Sequence, residues 1–84
     1  MKIVWDEPKR LANIEDHGMD FADLDEAFFE ASVITPARSR RLAAVGHHHS
    51  GVIILVIFAV LGSEAFSIIS MRPASRKERR LIDR

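Results

Sequence analysis

GHHHSGVIILVIFAVLG, residues 46–62, decides what kind of protein this is. The three histidines suggest a metal site, and the apolar run after them suggests a membrane span. The run from Val52 to Leu61 covers ten residues, whereas a spanning helix needs about 20. It is rich in Val and Ile and fenced by Ser50-Gly51 and Gly62-Ser63. β-Branched side chains are stiff at the first torsion and pack well on a pleated surface. The stretch therefore predicts a buried strand, apolar on both faces, with helices over one face and something else over the other. A hairpin turn precedes it and holds His47, His48 and His49. Successive side chains in such a turn are expected to diverge. Zinc wants three or four ligands in a tetrahedron, and no cysteine or nearby carboxylate in the sequence completes the set. The expectation is a solvated turn with no metal and no cofactor.

Eighty-four residues with 48% apolar and 29% charged side chains suit one compact domain, 1–84, with a single modest core. The chain has no cysteine, which excludes disulfides and thiolate zinc sites. The start, MKIVWDEP, lacks an apolar signal region, so the expectation is a cytoplasmic protein with no membrane partner. The formal net charge of zero hides an asymmetry. Residues 1–35 carry nine acids against three bases, and residues 36–70 carry three arginines against Glu64. Residues 71–84 carry six bases against Glu78 and Asp83. Such halves suit an anionic partner for the basic end and a basic protein for the acidic end, or two ordinary solvated faces.

Outward from the long strand, Arg41–Val45, Val52–Val60 and Ala65–Met71 read as strands joined by the turns 46–51 and 62–64, with a weaker strand at Ser32–Thr35. Ile3-Val4-Trp5 reads as a short extended entry. Asp6 can cap a first helix whose second residue, Pro8, needs no amide donor. That helix is expected to run to about Asp16, with Leu11 and Ile14 inward and Gly18 as a left-handed stop. Asp20 can cap a second helix, with Phe21, Leu24, Phe28 and Ala31 at spacings of three and four on its core side. Ser75 and Glu78 form a capping box that opens a last helix to about Asp83. The predicted fold is α+β: two N-terminal helices, a three- to four-stranded antiparallel sheet and a C-terminal helix.

An ordered set of residues then carries a resemblance: Trp5-Asp6, Lys9, Asn13, His17-Gly18, Phe21, Ala27-Phe28, Arg41 five residues before Gly46, the apolar strand, Ile68-Ile69-Ser70, Arg72, Ala74 and Glu78-Arg79. The chain resembles the BrnT toxins, small toxins of bacterial type II toxin–antitoxin pairs. The resemblance implies a RelE-like ribonuclease fold, RNA cleavage that arrests growth, and a BrnA-like ribbon-helix-helix antitoxin. It further implies contact with operator DNA only through the antitoxin complex. Three positions depart from the usual pattern: Asp16 stands where lysine usually precedes His-Gly, Ser67 where a basic residue precedes Ile-Ile-Ser, and Leu61 where a turn arginine closes the long strand. Each removes positive charge, so the alternative is a catalytically weakened homologue that binds an antitoxin.

RNA cleavage without metal needs a group to take the 2′-hydroxyl proton, a group to hold the extra negative charge and a group to protonate the leaving oxygen. Arginine suits the second role, because its planar fork is always charged and binds phosphate oxygens bidentately. Arg72 and Arg79 are the candidates in catalysis, with Arg41, Arg76 and Arg80 as RNA contacts. His17 is the candidate acid or base, since its ordinary titration lies near neutrality, although a cation at a helix C-terminus has a structural role too. Glu78 is a proton carrier in principle and a capping partner by default. Trp5 can stack on a base or bury against the first helix. Asp6 and Asn13 read as a cap and as helix–turn packing.

Overall fold

In the computed structural model, which describes residues 1–82, the order is β1 (Lys2–Trp5), α1 (Glu7–His17), a 3₁₀ turn (Phe21–Asp23), α2 (Glu26–Ala31), β2 (Val33–Pro36), β3 (Leu42–His47), β4 (Ile53–Leu61), β5 (Ala65–Pro73) and α3 (Arg76–Arg79). The class is α+β as expected, but the sheet has five strands in the order β1-β5-β4-β3-β2. It is mixed, because β1 pairs parallel with β5 from Lys2↔Ala65 to Trp5↔Ile68. The extended entry of the sequence reading is thus an edge strand. Its pairing partner lies more than sixty residues downstream, where no local pattern reveals it.

The long apolar strand is buried on both faces as predicted. Ile54, Val56 and Phe58 point into a first core with Phe21, Leu24, Phe28, Phe29, Ile68 and Met71. Leu55, with Ile53 and Ile57 beside it, points into a second, smaller core with Ala43 and Val45, over which Ala74 and Ile82 fold. α1, α2 and the 3₁₀ turn serve the first face; the short C-terminal segment with α3 covers part of the second.

Between β4 and β5 the register shifts by one: Ile57 pairs with Ser70, but Phe58 pairs with Ile68. Ile69 is the extra residue of a β-bulge, and such an insertion reverses the in–out alternation beyond it. Ile68 and Met71 therefore both enter the first core, whereas Ser70 and Arg72 emerge on the second face.

The N-terminal helices differ in detail from expectation. Asp6 is the N-cap residue of α1, yet its carboxylate makes no capping bond. An N-cap side chain serves the second or third helical amide, and Pro8 removes one of them. Leu11 and Ile14 face outward, at 54% and 36% exposure; the inward position is Asn13. The Asn13 amide group donates to the Met19 carbonyl (2.9 Å), and its oxygen accepts from the Met71 backbone N–H (3.1 Å). The second bond closes an exposed edge: β1 ends opposite Ile68, and Asn13 satisfies the β5 amide beyond it. Gly18 ends α1 with φ +67°, as expected, and donates to the Ile14 carbonyl.

The expected second helix is two pieces. Asp20 caps only the 3₁₀ turn, through Ala22 N–H, and Asp25 starts α2 afresh by accepting from Phe28 N–H at 2.8 Å. The Arg10 guanidinium reaches both Asp20 oxygens (3.2 and 3.0 Å) and Glu7, while Trp5 Nε1–H donates to Glu7 (3.1 Å). This network fixes the first two helical segments relative to each other. Trp5 packs half-buried, edge-on to Phe21, so of its two readings the structure shows burial. Phe28 lies over Gly46 of β3, where any Cβ would collide with Phe28 and Ser32. Beyond α3, Arg80–Ile82 continue in turns closed by Leu81 N–H to Glu78 and Ile82 N–H to Arg79. The helix is shorter than expected, and its predicted end at Asp83 lies outside the described residues.

Asn13→Ala leaves a buried donor at Met71 and an acceptor at Met19 without partners. The expected loss is about 2–3 kcal/mol of stability in urea denaturation, and a loss under ~0.5 kcal/mol would show that water replaces the side chain.

Candidate functional site

α3 has four residues and holds its place through its first turn. The Ser75 hydroxyl accepts from Glu78 N–H (3.2 Å), and the Glu78 carboxylate accepts from Ser75 N–H (2.8 Å). The same carboxylate accepts both arms of Arg72, each at 2.9 Å. Arg72 also donates to the Pro73 carbonyl at 3.1 Å. The bidentate Arg72 fork, opposed in part by burial and aided by Ser75 N–H, pulls the Glu78 carboxyl down to about 2. Near neutrality Glu78 is therefore a carboxylate with a structural duty, and its capping role is the one observed.

Arg76, Arg79 and Arg80 are exposed on and just after this helix. Among the described residues they form no side-chain hydrogen bond or ion pair, and neither does Arg41. Arg41 lies at the mouth of the β2–β3 hairpin, where its N–H donates to the Arg38 carbonyl at 3.2 Å. The two central residues, Ser39 and Arg40, both take positive φ, 58° and 61°. That is the hairpin geometry usually given to Asn-Gly, and L-residues adopt it at a cost of about 1–2 kcal/mol each. Ala37, next to this arginine-rich turn, and Ile82, just after the arginines of α3, both pack against the patch of Ala43, Val45 and Leu55. Ala37 and Ile82 thus set the Arg38–Arg41 turn and the segment after α3 beside the second face, where Arg72 emerges. His17 does not join them. It is exposed at the last turn of α1, the helix that borders the first core.

The histidine turn corrects the sequence reading. Gly51 N–H donates to the His48 carbonyl and His48 N–H to the Val52 carbonyl, each at 2.8 Å. This closure sets the His48 and His49 rings against each other, with centroids 4.0 Å apart. Both converge on Asp23, which the sequence places 25 residues earlier. His48 Nε2 lies 3.0 Å from Asp23 Oδ2, and His49 Nε2 lies 3.5 Å from the same oxygen. At its other nitrogen, His48 Nδ1 is 2.7 Å from Ser50 Oγ and accepts from Ser50 N–H at 3.2 Å. The group borders a concave pocket of about 220 Å³ with Asp25, His47 and a floor that includes Phe28. The carboxylate that local sequence lacks comes from a distant segment. The helical segment over β3 supplies the acid, and only the aspartate-rich stretch from Asp20 to Asp25 hinted at it.

Two outcomes follow from the Arg72–Glu78 clamp and from the strained turn. A folded-state carboxyl depressed from 4.5 to about 2 contributes stability that is complete above pH ~4.5 and lost as pH falls toward 2. Roughly 1–2 kcal/mol is at stake after allowance for solvent screening. In thermal melts Glu78→Gln is expected to flatten that pH window, and an unchanged acid limb would remove the clamp from the account. Arg40→Gly is expected to raise stability by about 1 kcal/mol, read as an upward shift of the urea midpoint.

The model of the ribonuclease toxin BrnT of type II toxin–antitoxin systems matches residues 5–78. No curated protein sequence matches the chain. Among solved structures, the crystal structure of the Brucella abortus ribonuclease toxin BrnT is similar, with a TM-score of 0.85 and 54% identity over 90% of this chain and 99% of that one. Among the described residues no helix is long and apolar enough to cross a membrane. A family match over most of the chain, joined to a like fold at this identity, shows that the protein belongs to the BrnT family of ribonuclease toxins.

Proposed function

We propose that this chain is the RNA-cleaving toxin of a type II pair. It cleaves RNA without a metal, arrests growth, and is neutralised by a BrnA-like ribbon-helix-helix antitoxin that alone contacts operator DNA. Family membership over residues 5–78 carries the reading, and a type II toxin implies an antitoxin partner. The exposed arginines support it: Arg41, Arg76, Arg79 and Arg80 are open to solvent, and side chains of this kind bind phosphate oxygens through charge-assisted bonds.

In this mechanism Arg79 holds the scissile phosphate and offsets the charge that grows as the 2′-oxygen attacks, with Arg41, Arg76 and Arg80 as further RNA contacts. Arg72 supplies a further fixed positive charge, with its fork shared with Glu78. His17 is the candidate proton carrier, but its place beside the first core sets it apart from the arginines. The acid and base therefore rest on a separate measurement from the phosphate contacts.

A second reading, a weakened homologue that keeps antitoxin binding, is favoured by the occupied fork of Arg72 and by Asp16, Leu61 and Ser67 standing at usually basic positions. Purified protein incubated with single-stranded RNA in EDTA distinguishes the two. Cleavage is expected, falling by about 100-fold or more in Arg79→Ala if one transition-state contact is lost, with His17→Ala reporting on proton transfer. No cleavage, together with tight capture of the antitoxin encoded beside it, would establish the second reading.

A further inference from the structure

We propose that Asp23, His48 and His49 form a binding site for zinc(II), or for a cation of like preference. The proposal does not rest on the nuclease reading.

Zinc binds His nitrogen and carboxylate oxygen at about 2.0–2.2 Å in a tetrahedron, which places neighbouring ligand atoms roughly 3.3–3.5 Å apart. Two edges of the trio already stand at 3.0 Å, between His48 Nε2 and Asp23 Oδ2, and 3.5 Å, between His49 Nε2 and Asp23 Oδ2. All three donor atoms lie within 4.8 Å of one another. A cation seated among them needs only small side-chain rotations. The fourth position opens toward the pocket, where a water can complete the tetrahedron.

A ligating histidine usually has its other ring nitrogen held by a hydrogen-bonding group, which fixes the tautomer. His48 has that group in Ser50 Oγ, 2.7 Å from Nδ1. Its side chain is only 9% exposed, so its ring is held in place. In the metal-free form Ser50 N–H points at Nδ1, which leaves the imidazole proton on Nε2, facing Asp23. Zinc at Nε2 takes the other tautomer, in which Nδ1–H donates to the Ser50 hydroxyl and the Ser50 N–H bond to Nδ1 is given up.

Two imidazoles and one carboxylate suit zinc, nickel, cobalt or copper and not the hard all-oxygen preference of magnesium or calcium. The two acceptors of the hairpin and the acid of the 3₁₀ turn belong to different elements, so a bound cation ties the β3–β4 connection to the segment that opens α2.

The test is a zinc titration of the full chain stripped with EDTA, followed by calorimetry, by the visible spectrum of cobalt(II) and by thermal denaturation. One equivalent is expected to bind, cobalt is expected to give the intense absorption of a tetrahedral site, and zinc at about 100 times its Kd is expected to raise Tm by on the order of 10 °C. Asp23→Asn and His49→Ala should each weaken binding by more than the roughly 10–100-fold typical of an outer-shell change, and Ser50→Ala by about 10-fold. His47→Ala should leave affinity unchanged, since its ring is outside the trio. Affinity that ignores Asp23→Asn and falls equally with any of the three histidines would mark an adventitious histidine patch and overturn the site. An octahedral cobalt spectrum would overturn it too. RNA cleavage in EDTA reads the nuclease alone, so failure of one proposal leaves the other standing.

Discussion

The extra residue at Ile69 is the constraint on which the rest of the structure depends. Strict alternation through β5 would send residues 68, 70 and 72 to the same face. Arg72 would then enter the core with Ile68, and Met71 would face outward. The register shift between Ile57 and Phe58 reverses this. Met71 closes the first core, its backbone N–H meets Asn13, and Arg72 emerges where Glu78 can take its fork. The position of α3, and so of its arginines, follows from one inserted residue. Bulges increase local twist and re-aim side chains; here the re-aimed side chain is the one that anchors the last helix.

Burial of β4 on both faces explains why the charges separate. The first face is large and is covered by the segments that carry nearly all the N-terminal acids. The second is covered by a small patch of Ala74 and Ile82 against Ala43, Val45 and Leu55. Little apolar area is available there, so the C-terminal segment depends on polar bonds: the capping box, the Arg72 fork and the turn contacts beyond. A polypeptide of zero formal charge therefore presents a basic side built around its least extensive packing. The Arg72–Glu78 pair neutralises one charge of each sign within it and leaves the other arginines to solvent.

Much of this was legible in the sequence because it was local. The strand Val52–Leu61, the αL stop at Gly18, the Ser75–Glu78 capping box and the phenylalanines of the first core follow from periodicity and capping chemistry. What escaped was non-local. β1 is a strand only because β5 lies beside it. Leu11 and Ile14 matched an amphipathic helix, but a polar residue, Asn13, claims the inward face because an edge amide of β5 needs an acceptor. The continuous second helix broke at Asp25, where a second capping aspartate competed with propagation. Asp23 met the histidines through tertiary packing that no spacing rule contains. Among the candidate site residues, Arg72 emerges on the second face, and His17 ends α1, which borders the first core.

Two of the three positions read as departures, Leu61 and Ser67, lie in the sheet. Leu61 pairs with Ala65, and Ser67 pairs with Ala59 on one side and Val4 on the other. These residues share the second face at its open end, beyond the cover of Ala74 and Ile82. Leu61 is 51% exposed there and Val4 36%. Where a basic side chain would attract a phosphate, this chain offers an apolar strip. Coulombic attraction of an exposed charge is screened within about 8–10 Å at ordinary salt, so the arginines near α3 cannot make good the loss at a distance. On the nuclease reading, RNA affinity is thus concentrated at the turn of Arg38–Arg41 and at α3. The strain kept at Ser39 and Arg40 then has a physical counterpart, because a glycine in that turn would relax the backbone and remove one of the few remaining cations that can meet the nucleic acid.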